Sequence, residues 1–348
     1  MQWRFEKARE AFGRYCEHWD AINRSCRDHI LLDSIFVGAL IRHFATDETL
    51  LAIANDDNAP GMVLVEKARP GLWQTFQPAQ GPIGLVLLSD TADSRQRIFE
   101  LIRSLPGYSF GFSVLQQDPD FTVFSQSDTS NLIERTDYME TSRLQISGDF
   151  DAYWKGTGRY FVDDLRRQTR RLAEQGIEVE FVIERRRDAV AECIEDYSRL
   201  ETTGWKGKEG TAVAASNAQG RFYREVMEEF CDRGEGVIFR LLFNDKVVAS
   251  DLILERNGMS VVLKIAYDEN FPGISPGKFM HREILRHLYS DGKTKSLEWY
   301  GRVHDWQRKL GSVPRAMFHL NVYRHGWVPL ARKWIKSTRG IIRSGNQK

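Results

Sequence analysis

The sequence has few cysteines and no excess of charge of either sign. Lys and Arg number 49 against 48 Asp and Glu, for a net charge of +1, so no whole-chain field favours a nucleic acid or an anionic membrane. No apolar run approaches the roughly 20 residues of a membrane span, and the amino terminus lacks the apolar core of a signal peptide. We therefore expect a soluble cytoplasmic protein with reduced thiols. The cysteines, none in a CxxC pair, are Cys16, Cys26, Cys193 and Cys231.

Several catalytic signatures are also missing. The chain has no HExxH motif, no GxSxG nucleophile elbow and no GxxxxGK[ST] phosphate loop. Histidines are scattered rather than spaced like metal ligands, so we interpret them as structural and expect no metal. The histidines in question are His281, His287, His319 and His325.

The pattern of helices and strands indicates two domains. A length of 348 residues is long for one core, and 42% hydrophobic with 28% charged residues is typical of a globular chain. In each half, helices precede a meander of strands, and a further helix and strand follow. The strongest hairpin signal is Asn257-Gly258. We expect two copies of one α/β fold, in which helices flank a mixed, largely antiparallel sheet.

These patterns place the domains at residues 1–150 and 177–348, joined by a basic helix at residues 151–176. That helix is either a solvated connection between domains or a positive rim for an anionic ligand. Nothing in the sequence predicts an oligomeric state. The arginines of the helix are Arg159, Arg166, Arg167, Arg170 and Arg171.

A glycine-rich loop, Pro272-Gly-Ile-Ser-Pro-Gly-Lys278, lies between a strand and a helix. Glycine allows close approach of the backbone, and the first N–H groups of a helix can bind an anion. The alternative is a simple connection that needs Gly and Pro to turn. We predict an anion site here, with Lys278 adding a positive charge.

A dense polar and aromatic run, Glu298 to Trp306, begins in the next strand, Ser296 to Tyr300, and continues beyond it. A carboxylate at a strand end can orient a nucleophile or accept its proton. The alternative is that Glu298 pairs with Arg302 and that the tryptophans belong to the core.

A second loop, Glu201 to Thr211, carries three glycines around Trp205 and Lys206. This loop either borders the substrate site or is an ordinary surface loop.

Taken together, these three segments resemble the GNAT-type acyltransferases, in particular the subgroup related to the cellulose-biosynthesis protein CelD. That subgroup is in turn related to the tandem-domain Fem peptidyltransferases. The resemblance extends over residues 154–323. It implies tandem GNAT-like domains, of which the first, degenerate one does not bind CoA because Gln80 to Gly84 leads into a strand.

The resemblance also implies roles for individual residues. The donor would be acetyl-CoA or another acyl-CoA, and the acceptor a small or sugar-linked amine or hydroxyl compound. The chain departs from the family in its loop spacing and in having Glu298-Trp299 where relatives carry Asp-Phe. The implied cofactor-binding residues are Ala266, Tyr267, Gly273, Ser275, Gly277 and Lys278; the implied catalytic residues are Glu298, Asp305 and Tyr300; the implied acceptor-binding residues are Trp205, Lys206, Arg302 and Trp306.

Two alternatives stay open within this resemblance. Fem-type relatives use aminoacyl-tRNA, and the basic helix at residues 151–176 would then contact tRNA phosphates. The other alternative is a non-catalytic accessory protein of exopolysaccharide or cellulose synthesis.

Overall fold

The structure is a computed structural model that describes residues 3–54, 60–89, 94–124, 129–203 and 213–328. Within these ranges the chain forms two compact units. Unit 1 comprises Met1–Met139 and Ala316–Lys348, and unit 2 comprises Glu140–Arg315. The chain passes from unit 1 to unit 2 after Met139 and returns to unit 1 after Arg315. These division points differ from the predicted domain boundaries at residues 150 and 177.

Unit 1 alternates helices with a sheet. In chain order its elements are β1 (Trp3–Lys7), α1 (Ala8–Ala11), α2 (Cys16–Cys26), α3 (Ser34–Phe44), β2 (Leu50–Ala54), β3 (Gly61–Arg69), β4 (Leu72–Thr75), β5 (Val86–Leu88), α4 (Ser94–Ser104), β6 (Gly111–Gln117) and the first part of β7 (Ile133–Gln145).

Unit 2 begins within β7 and contains the predicted anion loop. Its further elements are α5 (Phe150–Gly156), α6 (Arg159–Glu174), β8 (Val179–Glu184), α7 (Val190–Thr203), α8 (Ala218–Asp232), β9 (Gly236–Phe243), β10 (Lys246–Arg256), β11 (Met259–Tyr267), α9 (Pro276–Asp291), β12 (Ser296–Trp299), α10 (Asp305–Lys309) and the start of β13 (Val313–Tyr323). Short 3-10 turns occupy Phe12–Tyr15, Ile30–Leu32 and Arg187–Ala189.

The two units repeat one strand order. In unit 2, β8, β9, β10 and β11 pair antiparallel in sequence, and β12 then joins β11 in parallel. In unit 1, β1, β2, β3 and β4 pair antiparallel, and β6 then joins β4 in parallel. A parallel neighbour needs a crossover connection, which α9 and α4 supply. The predicted mixed, largely antiparallel α/β fold is confirmed.

Helices cover both faces of the sheet in unit 2. On one face, α7 packs on β10 and β11, and α8 packs on β9. On the other face, α9 packs on β9, β10 and β11, with α5 and α6 beside it. The strands between them are buried on both faces, as in β10, where the eight consecutive residues from Val247 to Leu254 are buried. Among the described residues, no helix is long and apolar enough to cross a membrane.

The elements of residues 236–299 lie where the sequence predicts them. The predicted basic helix instead consists of α5 and α6, interrupted at Thr157 and Gly158. Two glycines within three residues disfavour a continuous helix, and Thr157 ends α5 in an extended conformation. Both helices belong to unit 2 rather than forming a connection between units.

Replacing Phe239 by alanine tests the core of unit 2. This ring on β9 is fully buried and stacks on Phe181, with 5.5 Å between ring centroids. We expect the variant to lose about 3–5 kcal/mol of unfolding free energy, because a large cavity remains in a packed core. Tyr160→Ala, at a side chain that is 74% exposed, is the matched control and should change stability by about 0.5 kcal/mol at most. Urea denaturation followed by circular dichroism measures both, and equal midpoints would contradict this packing.

Candidate functional site

The parallel strands β11 and β12 separate part of the way along β11. They pair over four residues, from Met259 with Ser296 to Val262 with Trp299. The register of β10 against β11 shifts at the same place, so that Leu263 forms a bulge. From Leu263 to Tyr267 no strand among the described residues pairs with the β12 side of β11. The backbone N–H and C=O groups of this edge can therefore pair with an extended ligand.

The glycine loop and the start of α9 lie at the open end of this gap. Gly273 has a φ of +70°, which favours glycine, and Pro276 occupies the first turn of α9 after the N-cap residue Ser275. Gly277 lies under the ring of Tyr267, where an added Cβ would come within 3.3 Å of the ring. The loop thus brings helix N–H groups beside the last residue of β11.

Side chains of α6 hold the loop in place. Gln168 Oε1 accepts a hydrogen bond from Ser275 N at 2.7 Å, and Arg171 Nη1 donates to Gly273 O at 3.3 Å. Lys278 Nζ donates to Asp164, and this hydrogen bond holds the pKa of the Asp164 carboxyl below its usual value. Part of the predicted anion site is therefore already occupied by α6, since Ser275 N and the Lys278 ammonium both have protein partners.

Glu298 is fully buried and lies between two guanidinium groups. Arg143, its cross-strand neighbour on β7, donates to one carboxylate oxygen. Arg315 Nη2 donates to the other oxygen at 2.9 Å. The pair that the sequence suggested, with Arg302, does not form among these contacts. A carboxylate held at both oxygens is well placed to fix β12 and to orient its surroundings.

The other predicted catalytic residues have different environments. Tyr300 is buried, and the Arg315 guanidinium lies 5.6 Å from its ring centroid. Asp305 is exposed at the start of α10, where a carboxylate interacts favourably with the helix dipole. Arg302 is exposed as well. These residues follow the end of β12, on the side of the gap opposite to β11.

Trp306 is packed rather than free. Its ring stacks on His281 of α9 with centroids 4.1 Å apart and planes 8° apart, and it meets Trp299 edge-on at 5.7 Å. This packing agrees with the alternative that the tryptophans belong to the core, although Trp306 is half-buried rather than enclosed. Its exposed part remains available to an acceptor.

Trp205 and Lys206 lie outside the described residues, but the segments that flank them are well fixed. Glu201, near the end of α7, is buried and accepts hydrogen bonds from Tyr197 Oη at 2.8 Å and from Val213 N at 2.6 Å. Tyr197 Oη also lies 3.3 Å from Ile265 O on the open part of β11. Burial raises the pKa of the Tyr197 hydroxyl well above its usual value, so it stays protonated and donates. The described residues Glu201 and Val213, which flank the segment that contains Trp205 and Lys206, thus lie close to the gap.

Several residues of the site are not identified from the sequence alone. The positions of Asp164 and Gln168 on α6 give no signal, because their partners are more than a hundred residues away. Tyr197 and Glu201 are spaced i, i+4 on one face of α7, a pattern that does indicate a contact. Within the described ranges, no group of three or more potential metal ligands comes together.

A protein-family model matches this part of the chain. Residues 159–308 match the acetyltransferase (GNAT) domain. The matched range lies within unit 2 and contains α6, the gap, the glycine loop and the run from Glu298 to Trp306. This part of the chain is therefore similar to a GNAT-type acetyltransferase domain. No curated protein sequence matches the chain.

Solved structures resemble almost the whole chain. A C-terminal domain from Agrobacterium fabrum, described as that of a lysylphosphatidylglycerol synthetase, has a TM-score of 0.56 at 11% identity and covers 95% of this chain and 96% of that chain. L-PGS from Bacillus licheniformis has a TM-score of 0.53 at 14% identity, with coverages of 90% and 94%. FemX has a TM-score of 0.56 at 9% identity, with coverages of 90% and 97%. At these identities the likeness shows the fold alone.

Two carboxylates proposed for the same role should differ sharply in their effect on stability. We expect Glu298→Gln to cost about 3 kcal/mol or more, because it leaves two guanidinium groups facing an uncharged amide in the interior. Asp305→Asn removes an exposed charge and should change stability by about 0.5 kcal/mol at most. Chemical denaturation measures both variants. If Glu298→Gln lowers the unfolding free energy no more than Asp305→Asn does, the Glu298 carboxylate does not stabilise the two guanidinium groups beside it.

Proposed function

We propose that the protein is an acyl-CoA-dependent acyltransferase, specifically an N-acetyltransferase that uses acetyl-CoA. The observation that carries this proposal is the gap between β11 and β12, which opens directly beside the glycine loop and the start of α9. The acceptor is an amine or hydroxyl compound, with a sugar or polysaccharide precursor as one class. The match of residues 159–308 to the acetyltransferase (GNAT) domain supports the reaction class.

In this proposal the donor lies along the open edge of β11. Its pantetheine arm contains two amides, which would pair with backbone groups near Ala266 and Tyr267 as an added strand does. The diphosphate would lie against the loop, next to the backbone of Gly273 and Gly277 and the hydroxyl of Ser275. Lys278 would contribute charge from a position shared with Asp164.

Acyl transfer in such a site works mainly by positioning. A thioester held in the gap meets the acceptor in a fixed geometry, and backbone N–H groups polarise its carbonyl. Glu298 suits the role of an orienting group, since both of its oxygens are occupied by Arg143 and Arg315. The exposed Asp305 suits the role of a base, and Tyr300 that of an acid. The acceptor would be bound by Trp205, Lys206, Arg302 and Trp306.

Acetyl-CoA should raise the melting temperature of the wild-type protein, and Gly277→Asp should abolish the shift. The new side chain would occupy the closest approach to Tyr267 and place a negative charge where the diphosphate is expected. We expect the dissociation constant for CoA to rise by about 100-fold or more, which corresponds to about 2.7 kcal/mol.

Gly156→Asp is the matched control for that experiment. It adds the same charge to unit 2 at an exposed glycine with no atom within 4 Å of an added Cβ. The control should bind CoA as the wild type does. A wild-type protein that shows neither a melting shift nor heat of binding at saturating CoA would refute the proposed donor.

An aminoacyl-tRNA donor is the second candidate, and the surface of α6 favours it. Arg166, Arg167 and Arg170 are exposed on the helix that holds the glycine loop, and FemX shares the fold. If this donor is correct, the logarithm of the tRNA association constant should fall linearly with the logarithm of the salt concentration. Arg170→Gln should reduce that slope by about one unit, since it removes one phosphate contact. Competition by free CoA, or a salt-independent affinity, would exclude this donor.

A non-catalytic accessory role in exopolysaccharide or cellulose synthesis is the third candidate. No contact of the described residues favours it over the other two. Transfer of an acetyl group to any amine, hydroxyl or sugar acceptor would exclude it.

A further inference from the structure

A buried carboxyl group lies on the α9 side of the sheet, close to the point where β11 and β12 separate. Asp251 on β10 is 1% exposed, and its Oδ1 atom has no hydrogen-bond partner among the described residues. Its other oxygen lies 3.9 Å from Nδ1 of His281 on α9, which is too long for a direct hydrogen bond. A buried polar atom without a partner is costly and therefore points to a function or to a bound molecule.

Both groups line a small cavity. Its walls also include Val262 and Trp299, which form the last residue pair between β11 and β12. The cavity is about the size that one water molecule needs, and a water there could bridge the carboxyl group and the imidazole. The cavity therefore lies at the closed end of the gap in which we place the donor.

The packing of His281 fixes its ring. The imidazole is stacked on Trp306 at 4.1 Å, and its side chain is 11% exposed. Trp306 lies in the segment that follows β12. The stacked rings of His281 and Trp306 therefore connect α9 with the segment on the far side of the gap. His281 is thus held between the buried Asp251 and the segment that carries the candidate acceptor residues.

Burial favours the uncharged form of both groups. It raises the pKa of the Asp251 carboxyl well above its usual value and lowers the pKa of His281 to about 4. A neutral imidazole has a lone pair that can accept a proton, and a neutral carboxyl group has a proton that it can give. The pair can therefore exchange protons in both directions without placing a net charge in the interior.

We propose that Asp251 and His281, with one water molecule between them, form the acid–base pair of acyl transfer, in place of Asp305 and Tyr300, whose residue types alone suggested those roles. This inference rests on the proposed function. The acceptor nitrogen attacks the thioester carbonyl carbon, so that a C–N bond forms and the C–S bond breaks with its electron pair on sulfur. His281 takes the proton that the nitrogen loses, and Asp251 supplies a proton to the thiolate. The proton then passes from His281 to Asp251 through the water, which restores the pair.

Infrared spectroscopy can test whether this pair meets the donor. The carbonyl stretch of a protonated carboxyl group should be present in the wild type and absent from Asp251→Asn. CoA should shift this band, because its thiol lies beside the pair, whereas desulfo-CoA should bind without shifting it. Ser250→Ala is the matched control, since Ser250 is the neighbouring fully buried residue of β10 and faces away from the cavity. It should keep both the band and its response to CoA.

Kinetics provide a second readout that a purely structural residue would not move. Single-turnover release of thiol from acetyl-CoA should fall about 100-fold in Asp251→Asn and in His281→Gln, while the dissociation constant for CoA stays within about threefold. Retention of the wild-type rate by both variants would overturn the inference.

The outcomes separate the two proposals. If calorimetry detects no binding of CoA, the proposed function fails, and the acid–base pair fails with it. If CoA binds but the carboxyl band does not respond, the donor assignment stands and the acid–base pair is wrong. A band that responds equally to CoA and desulfo-CoA would also refute the pair, because the thiol would then have no contact with it.

Discussion

The separation of β11 from β12 after Val262 and Trp299 is the constraint on which the rest of the site depends. Each strand is held from its other side. β11 stays paired with β10 as far as Tyr267, whereas β12 is fixed to β7 by the Glu298–Arg143 pair and to β13 by Arg315. Because the two strands are anchored independently, the gap is a feature of the protein itself and needs no ligand to exist. A preformed site of this kind reduces the ordering cost of binding.

Three buried carboxyl groups of unit 2 lie near this gap, and their hydrogen-bond partners differ. Glu298 is compensated by two guanidinium groups, and Glu201 by a tyrosine hydroxyl and a backbone N–H. Among the described residues, Asp251 lacks such compensation at one oxygen, and burial raises the pKa of its carboxyl group. Compensated carboxylates stabilise a geometry, whereas an uncompensated one in a cavity is available for chemistry. This contrast separates residues that shape the site from those that we propose to move protons.

The part of the fold that the sequence predicts best is the part with local signals. Short runs of apolar residues, the Asn257-Gly258 turn and the glycines before α9 predict β9 to β12 and α9 within a few residues. The strands β7 and β13 are not predicted, because polar and charged residues such as Glu134, Arg135 and Asp137 interrupt any apolar alternation. Their place in the sheet comes from partners far along the chain, which no local pattern records.

The same distinction applies to the site. The glycine loop and the carboxylate of β12 can be found from residue types alone, whereas the gap beside the loop cannot. The partners of Glu298 cannot be found in this way, since Arg143 lies 155 residues away along the chain. Nor does any sequence signal show that α6 occupies part of the anion loop through Gln168 and Asp164, or that His281 meets Asp251.

A crystal structure of the protein with CoA tests the central claim most directly. The account predicts that the pantetheine arm enters the gap and pairs with the backbone of β11 between Leu263 and Tyr267. It also predicts diphosphate oxygens within hydrogen-bond distance of the Gly273–Lys278 loop and the sulfur near the end of the gap lined by Val262 and Trp299. CoA bound elsewhere, with the β11 edge left open, would contradict it.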